Sequence, residues 1–463
     1  MLYNPLKANK KNVRTTLVAV FCVALILLFI WILLVKFEGE NPSVSVDLMS
    51  PYIGKSHKMS VTVSDVKSGI KKIWIGLTKD GKEVVVFEKE FPRGGVFGAG
   101  RQHQVPLTVS IDPMTMGISD GQAILRMVAR DFSWRKWWNG NRTYVEKEVT
   151  IDTKPPGINI LSRSHNVSQG GTGLVAYKLS EPCRKSGVYV GHNFFPGHSG
   201  HFKDRTISLA FFAVEHDQDP RSELFLEATD FGGNASRSEI PHYLKRKVFR
   251  KDTIEIPESF LKRKLMEFDT HESDKPNMSL IDKFLQINRD LRSVNHKQIE
   301  KLSEKTDIDM YWHGAFLRLP NSARKSAFAD DRTYTYKGRV VDHQVHLGID
   351  LASVAHSPVP AANGGKVVFA GDLGIYGKTV MLDHGLGLFS TYSHLSALNT
   401  TPGRMVSRGD IIGHTGSTGL AGGDHLHFGI LVHDTFVNPV EWWDDMWIKH
   451  NVLDKIDDIA STQ

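Results

Sequence analysis

The longest apolar run of the chain covers residues 16–35 and reads TLVAVFCVALILLFIWILLV, without a charged position. A helix of this length spans roughly 30 Å at about 1.5 Å per residue, which matches the hydrocarbon core of a bilayer. Four cationic residues between positions 7 and 14 favour a cytoplasmic N-terminus. The pattern predicts a cytoplasmic tail over 1–15 and one transmembrane helix over 16–35. A cleaved signal peptide is the alternative, although its apolar region is usually shorter and ends at small residues.

Short runs of alternating apolar and polar positions, separated by turn residues, dominate residues 42–241 and predict β-strands. The stretches VARDFSWRKWWNGNRTYVEKEVTI and LEATDFGGNASRSEI both place an Ala-x-Asp-Phe turn before an asparagine and a further strand. The repetition predicts two β-sandwich modules in tandem, over 42–153 and 154–241. They resemble the Ig-like repeats of many bacterial surface proteins, which leaves an envelope protein as a possible partner.

The apolar spacing changes to a helical period over residues 242–315, a segment that we call the connector. Ser279 and Asp282 form a candidate helix cap before the run LIDKFLQINRDLRSV. One interpretation is a helical link between domains. The alternative is a cover that docks its apolar face on the domain that follows.

The charge of the chain does not indicate nucleic-acid binding, although its pI is about 9.0. Residues 1–36 contain five of the 57 Lys and Arg residues and none of the 51 Asp and Glu residues, so the remainder is nearly neutral. We find no basic stripe interleaved with aromatic residues that would favour DNA or RNA. The two cysteines, Cys22 in the apolar run and Cys183, predict neither an intrachain disulfide nor a CxxC site.

Two short histidine patterns follow the connector, His346-Leu-Gly-Ile-Asp350 and His425-Leu-His427. In a chain with 21 histidines, each pattern arises by chance on the order of once, so neither is specific alone. A second His-x-x-x-Asp pattern beginning at His450 has no related motif around it and illustrates the chance level. On a strand, His425 and His427 would point to one face and Leu426 to the other.

The surrounding sequence makes these patterns specific. The runs VHLGIDLAS, TYSHLS and GDHLHFGILV occur in this order over about 130 residues, 316–447. This segment resembles the lysostaphin and LytM family of zinc metallopeptidases. The resemblance implies a small, mostly antiparallel β domain over 316–447, followed by a tail over 448–463. The chain is thus predicted to be mostly β, with the connector and the N-terminal helix as its helical parts.

The resemblance assigns roles by position. It implies that His346, Asp350 and His427 are the ligands of one zinc ion per chain, and that His394 and His425 are catalytic. Two imidazoles and one carboxylate suit Zn²⁺ and leave its fourth tetrahedral position for water. His425 is then the expected general base and His394 the residue that orients water or stabilises the oxyanion, with the exchanged roles also open.

The same resemblance implies an endopeptidase that hydrolyses cross-links or stem peptides of bacterial peptidoglycan. The expected location is the bacterial cytoplasmic membrane, with the catalytic domain on the extracytoplasmic, periplasmic side. One alternative is a catalytically silent relative that activates another wall hydrolase, although such proteins typically lose metal ligands. Another is a zinc carboxypeptidase, although these enzymes usually space the first His and Asp further apart. The sequence departs from the family at Ala329, where a glycine is usual, which puts the local turn in question.

Overall fold

The computed structural model describes residues 9–95, 100–268 and 278–462. The chain forms two compact units. The first comprises the residues up to Pro155 together with Asp230–Asn234, and the second comprises Pro156–Thr229 together with the chain from Ala235 onward. Most of the regular structure is β, as predicted. Part of the predicted N-terminal tail, residues 1–8, lies outside the described residues.

The N-terminal helix α1 runs from Asn9 to Lys36 and therefore begins earlier than the predicted residue 16. Within it, Val13–Leu34 are long and apolar enough to cross a membrane, and none of this span is buried against the rest of the protein. A helix satisfies its own backbone hydrogen bonds, so exposed apolar side chains suit a lipid environment.

Two sheets form the first unit and enclose a core of aliphatic residues. One sheet has the order β1-β3-β6 and the other the order β2-β8-β7-β4-β5, and only the β2–β8 pair is parallel. The strands are β1 (Ser43–Asp47), β2 (Tyr52–Ile53), β3 (His57–Ser64), β4 (Ile70–Lys79), β5 (Lys82–Glu90), β6 (Gln104–Ile111), β7 (Gly121–Asp131) and β8 (Arg142–Ile151), with a short helical turn α2 (Arg135–Trp138) between the last two.

The repeated Ala-x-Asp-Phe turn has the same hydrogen bonds in both copies. The backbone N–H of Asn141 donates to Asp131 Oδ1 at 2.7 Å, and its carboxamide donates to Oδ2 at 2.8 Å. Asn234 makes the same two bonds to Asp230 at 2.9 Å each. Both aspartates are buried, so the asparagines supply the donors that a buried carboxylate requires. This interaction explains why the Asp and Asn recur together in the sequence.

The second unit contains the remaining strands. Its first part has the strands β9 (Ile158–Ile160), β10 (His165–Ser168), β11 (Thr172–Leu179), β12 (Cys183–Val190), β13 (Asn193–Pro196), β14 (His198–Ser199), β15 (Ile207–Ala213), β16 (Leu224–Asp230), β17 (Ala235–Glu239) and β18 (His242–Lys245). They form sheets of order β14-β15-β11-β9 and β13-β12-β16-β17 and a parallel β10–β18 pair.

The connector contains strand as well as helix. It holds β18, β19 (Lys251–Glu255), α3 (Glu258–Leu265), α4 (Leu280–Gln286) and α5 (Arg292–Ser303), with a π-helical turn at Ile287–Leu291. The predicted cap of α4 is confirmed, because the Asp282 N–H donates to Ser279 Oγ at 3.2 Å. The strand β19 was not predicted; its residues KDTIE alternate in exposure, and it adds in parallel to a strand of the following domain.

The C-terminal domain is a mostly antiparallel β structure, as predicted. Its elements are β20 (Ala323–Ser326), β21 (Asp330–Tyr336), β22 (Arg339–His346), β23 (Ile349–Ala352), β24 (Pro358–Pro360), β25 (Gly365–Asp372), β26 (Lys378–Gly385), β27 (Leu388–Leu395), β28 (Ala397–Leu398), β29 (Met405–Val406), β30 (Ile411–His414), β31 (Leu426–Val432), β32 (Thr435–Val437), α6 (Pro439–Trp442), α7 (Asp445–Ile448) and α8 (Asp454–Ala460). The largest sheet has the order β20-β23-β31-β27-β26-β25-β29, with β32 paired to β31.

One continuous core joins the first part of the second unit to its C-terminal domain. The Trp442 ring lies 5.9 Å from Phe211 of β15. Lys455 is buried, and its ammonium donates to the carbonyl of Leu174 in β11 at 3.1 Å. The segment predicted as a tail over 448–463 is therefore helical as far as Ala460 and packs on β11. Burial of these aromatic and aliphatic groups stabilises the packing of the C-terminal domain against the first part of the second unit.

The turn at Ala329 keeps the backbone conformation that favours glycine. Ala329 has a φ of 59°, is buried, and donates its N–H to the His346 carbonyl at 2.8 Å. An L-residue with a Cβ is strained in this left-handed region. The alanine therefore changes the energy of the turn and not its path.

We expect Ala329→Gly to raise the free energy of unfolding by about 0.5–1 kcal/mol, because about 1–2 kcal/mol of left-handed strain disappears while the freer unfolded glycine costs about 0.5–1 kcal/mol. Thermal unfolding measures the change, expected as a rise in Tm on the order of 1–3 °C. Ala361→Gly, at a buried position without a positive φ, is the control and should destabilise. Equal destabilisation by both variants would show that the turn stores no strain.

Candidate metal centre

Neighbouring strands bring the three predicted ligands together. His346 ends β22, Asp350 lies in β23, and His427 lies in β31. The register of the β23–β31 pair places Asp350 directly opposite His427. The turn between His346 and Asp350 is only three residues long, so the two side chains return to the same place. All three side chains are buried.

Their donor atoms form a nearly equilateral triangle. Asp350 Oδ1 lies 2.9 Å from His346 Nε2 and 2.9 Å from His427 Nδ1, and the two nitrogens lie 3.0 Å apart. Donor atoms around a tetrahedral zinc with bonds of about 2.0–2.2 Å lie roughly 3.3 Å apart. A small opening of the triangle would therefore accommodate the ion.

The hydrogen bonding of His346 also suits a cation at the centre of the triangle. His346 Nδ1 lies 2.9 Å from the carbonyl of Ala327, so Nδ1 carries the proton and Nε2 presents its lone pair to Asp350. Hydrogen bonding of this kind, from the distal nitrogen of a ligand, is the usual support of metal-binding histidines. Two lone-pair donors 2.9 Å apart repel each other unless a proton or a metal ion lies between them. The residues therefore fit a divalent metal.

The close approach of His427 explains why the first motif has a glycine, Gly348, between His346 and Asp350. A Cβ at this position would lie 2.5 Å from His427 Nε2, well inside the van der Waals limit. The same nitrogen is buried and has no hydrogen-bond partner within the described part of the chain. A side chain at position 348 would therefore displace the His427 ring and its metal-facing Nδ1.

The two predicted catalytic histidines lie beside the triangle. The rings of His394 and His425 are 4.9 Å apart, and both line the same cavity as the ligands, whereas Leu426 is buried in the core. The predicted alternation of His425, Leu426 and His427 is therefore confirmed. Each catalytic candidate has its Nδ1 near a backbone carbonyl, at 2.9 Å from Thr418 for His394 and 2.8 Å from Gly423 for His425. Each ring therefore points its Nε2 away from that carbonyl, and His425 Nε2 lies 3.5 Å from Asp350 Oδ1.

Their surroundings shift the pKa values of the two histidines in opposite directions. Burial lowers the pKa of His394 well below its usual value, and the neighbouring His425 and His427 add to the effect. Burial also acts to lower the pKa of His425, but the hydrogen bond and charge of Asp350, 3.5 Å from its Nε2, outweigh it and raise the pKa. His394 also has a φ of 64°, a strained conformation of the kind that clusters at functional sites.

A cavity of about 440 Å³ covers the centre, and the connector forms much of its wall. Ile254, Ile256 and Phe260 of the connector line it together with His346, Asp350 and the catalytic histidines. Phe284 of α4 also lines the cavity, and its ring lies 5.9 Å from Tyr334 of β21. The sequence predicted an apolar docking face but could not show which surface it contacts.

Arg332 is a site residue that the sequence analysis did not assign. Its Nη2 donates to Asp350 Oδ2 at 3.1 Å, while Asp350 Oδ1 faces the triangle. The side chain lies in β21 and lines the cavity. The guanidinium therefore acts on Asp350 through one N–H and its positive charge, and this bond orients the carboxylate towards the triangle. The nearby Phe-Ala-Asp-Asp-Arg run was the only signal for it in the sequence.

Other histidines serve the structure. His384 is buried, with its nitrogens 2.6 Å from the Gly364 carbonyl and 2.7 Å from Ser390 Oγ. His198 stacks on His433 with ring centroids 5.5 Å apart. Among residues 9–95, 100–268 and 278–462, the only histidine-containing group of three candidate ligands is the triangle described above.

The fold and the three converging donors are those of a candidate metal-binding domain, and comparison with known proteins shows what it is similar to. Residues 344–439 match the model of peptidase family M23. The match includes every predicted ligand and both predicted catalytic histidines. This segment is therefore similar to family M23, in agreement with the resemblance to lysostaphin and LytM.

Named relatives are similar to part of the chain. DD-carboxypeptidase/endopeptidase Mpg of Neisseria meningitidis serogroup B is 41% identical over 97 residues, which are 21% of this chain and 22% of the relative. Peptidoglycan DD-endopeptidase ShyA of Vibrio cholerae serotype O1 is 33% identical over 130 residues, 27% of this chain and 30% of the relative. The solved catalytic domain of lysostaphin from Staphylococcus simulans is 28% identical, with a TM-score of 0.25, and the match covers 28% of this chain and 98% of that one. The chain thus covers less than a third of the length of these two curated relatives.

We expect Arg332→Met to weaken zinc binding by roughly 10–100-fold, the usual effect of losing a group that orients a metal ligand. Arg332→Lys should weaken it similarly, because the lysine ammonium keeps the charge but not the planar guanidinium N–H that reaches Asp350 Oδ2. Chelator competition on the purified protein measures the affinity, with Asp350→Ala as the variant that loses the metal. If Arg332 acted only through its positive charge, Arg332→Met would bind zinc more tightly, because the guanidinium repels the metal ion. Tighter binding by Arg332→Met, with Arg332→Lys unchanged, would show that Arg332 does not position Asp350.

Proposed function

We propose that this protein is a zinc-dependent endopeptidase that hydrolyses cross-links or stem peptides of bacterial peptidoglycan. The observation that carries the proposal is the buried triangle of His346, Asp350 and His427 with two further histidines beside it. The names of the relatives support the substrate, since they include peptidoglycan endopeptidases. The family shared with them supports the reaction class.

Zinc suits the donor set of two imidazoles and one carboxylate. When bound, it supplies a Lewis acid that polarises the scissile carbonyl and lowers the pKa of water. Neutral His394, with a free Nε2, is suited to accept a proton from the attacking water. His425, with its raised pKa, is suited to donate to the oxyanion or the leaving nitrogen. The reverse assignment, with His425 as the base and His394 as the group that stabilises the oxyanion, is the other form of the proposal.

Two alternatives are less well supported. A silent activator of another hydrolase would be expected to lack ligands, whereas all three are present and converge here. A carboxypeptidase acts on free chain ends, and one relative is named for both carboxypeptidase and endopeptidase activity. Products from cross-linked and uncross-linked stem peptides would separate the two activities.

We also propose that α1 is an uncleaved anchor in the cytoplasmic membrane, with the N-terminus inside and the catalytic domain outside. The support is the apolar span Val13–Leu34 and the cations that precede it. Peptidoglycan is an immobile polymer outside this membrane, so a tethered hydrolase would act close to its attachment point. The partner of the β modules stays a prediction, with an envelope protein as one candidate.

The connector is proposed to restrain the enzyme. It walls the cavity over the metal centre, and Lys264 of α3 fixes it there with a hydrogen bond from its ammonium to the carbonyl of Ser417. A peptide that joins two glycan strands has to reach the ligands through this cavity. Because the connector is tethered, its local concentration is high and even a weak contact would block access.

We expect the purified protein to hydrolyse sacculi and to lose this activity when a chelator removes its metal, with recovery on adding zinc. His427→Ala should lose both zinc and activity. His394→Ala and His425→Ala should keep the zinc but lower turnover by roughly 10²–10⁴-fold, the usual contribution of a positioned acid or base. Metal analysis and release of soluble muropeptides provide the measurements. A folded, zinc-loaded protein that leaves sacculi intact would contradict the proposed substrate.

Weakening the connector contact should accelerate hydrolysis of sacculi. Removing everything before Leu317 would also remove Trp312 and Phe316 from the core, so point variants are the better test. Phe284→Ala removes the ring that packs near Tyr334, and Lys264→Met removes the bond to Ser417. Both variants should raise the rate of hydrolysis. Each removes a contact that exists only while the connector covers the cavity, so the covered state becomes less stable.

Val294→Ala is the matched control for these variants. Val294 lies on α5 of the same connector, but its side chain is largely exposed. The Val294→Ala variant should therefore hydrolyse sacculi at the rate of the unmodified protein. Rates that stay equal or fall in Phe284→Ala and Lys264→Met, with zinc content and thermal unfolding preserved, would show that the connector only links or supports the domain.

A further inference from the structure

An exposed aromatic turn lies next to the end of the apolar helix α1. The residues Arg135–Trp138, which we call the tryptophan turn, are all exposed, and Trp137 is 88% and Trp138 56% accessible. Large apolar side chains at this exposure are unusual for a protein surface facing water. The turn belongs to the first unit, as does α1.

Several contacts fix the base of this turn to the end of the helix. The Trp134 N–H donates to the carbonyl of Lys36, the last residue of α1, at 2.7 Å. Ser133 Oγ donates to the same carbonyl at 3.2 Å, and the Phe37 ring meets Trp134 edge to face at 6.0 Å. Asn141 extends the junction by donating to the Glu38 carbonyl at 3.1 Å. The position of the turn is therefore set by the position of the helix end.

The turn holds an unusual conformation that presents its side chains outward. Lys136, Trp137 and Trp138 have φ values of 49°, 57° and 65°, although none of them is glycine. Such a run persists only where its surroundings impose it, and strained residues of this kind concentrate at functional sites. Here the Lys71 ammonium donates to the Trp138 carbonyl at 3.2 Å, and this hydrogen bond helps to hold the conformation.

The chemistry of the turn matches the surface of a bilayer. Tryptophan is enriched at membrane interfaces because its ring is apolar and its N–H is polar. Arg135 and Lys136 add two positive charges, and neither forms an ion pair with a carboxylate among the described residues. Such cations complement anionic phospholipid headgroups. The apolar helix, whose last residue is hydrogen-bonded to the base of the turn, brings the turn to that surface.

We propose that the tryptophan turn inserts into the outer headgroup region of the membrane that α1 crosses, where it binds anionic phospholipid. This inference rests on the proposal that α1 is an uncleaved anchor. The turn would then fix the first β unit at the membrane surface, because a single helix end alone leaves a domain free to tilt. A protein ligand for the same aromatic surface is the competing occupant.

The test uses the full chain in vesicles of phosphatidylcholine and phosphatidylglycerol, with no other protein present. In a background with Cys22→Ser and Cys183→Ser, a nitroxide label is placed through Trp137→Cys, Asp80→Cys or Leu25→Cys, one at a time. Asp80 is the matched control, because β4 runs from Ile70, paired with Asp131 near the turn, to Lys79 beside Asp80. Its ten residues separate the two ends by roughly 30 Å.

Accessibility of the label to oxygen and to a water-soluble nickel chelate reports depth. We expect position 25 to be embedded, and position 137 to show a several-fold higher ratio of oxygen to nickel accessibility than position 80. A ratio at 137 equal to that at 80, with 25 embedded, would overturn the lipid contact while leaving the anchor in place. An aqueous label at position 25 would instead overturn the anchor and the inference with it.

Discussion

The convergence of three electron-pair donors in a buried site is the interaction on which the rest of the catalytic domain depends. Asp350 Oδ1 lies about as close to the facing nitrogens of His346 and His427 as hydrogen-bonded atoms do. The His346 nitrogen that donates a proton, however, is Nδ1, which faces the Ala327 carbonyl. A cation resolves the repulsion. The strand register, the absent side chain at Gly348 and the ion pair from Arg332 all hold this arrangement.

The family resemblance assigned the three ligands by position, and the structure brings their donor atoms together. Their local spacing suits this arrangement, because His346 and Asp350 flank one short turn and His425 directly precedes β31, which contains His427. The Arg332–Asp350 pair and the packing of α8 on β11 depend on residues far apart in the chain. No local pattern encodes such contacts. The strand β19 was missed for the same reason, since a five-residue run becomes a strand only where β21 offers an edge.

Two features beyond the catalytic domain act on different properties of the enzyme. The connector bears on access, because its apolar residues line the cavity above the ligands. The junction between α1 and the tryptophan turn bears on location, because backbone hydrogen bonds join the helix end to the first β unit. An enzyme that acts on an immobile polymer around its own cell needs control of both properties. Neither feature takes part in the chemistry at the metal.

The central claim is that His346, Asp350 and His427 bind one zinc ion, and anomalous X-ray diffraction at the zinc absorption edge tests it most directly. Crystals of the zinc-loaded protein should show a single strong peak at about 2.0–2.2 Å from His346 Nε2, Asp350 Oδ1 and His427 Nδ1. His394 and His425 should lie outside bonding distance of that peak. A well-ordered site without a peak, or a peak coordinated by other residues, would contradict the account.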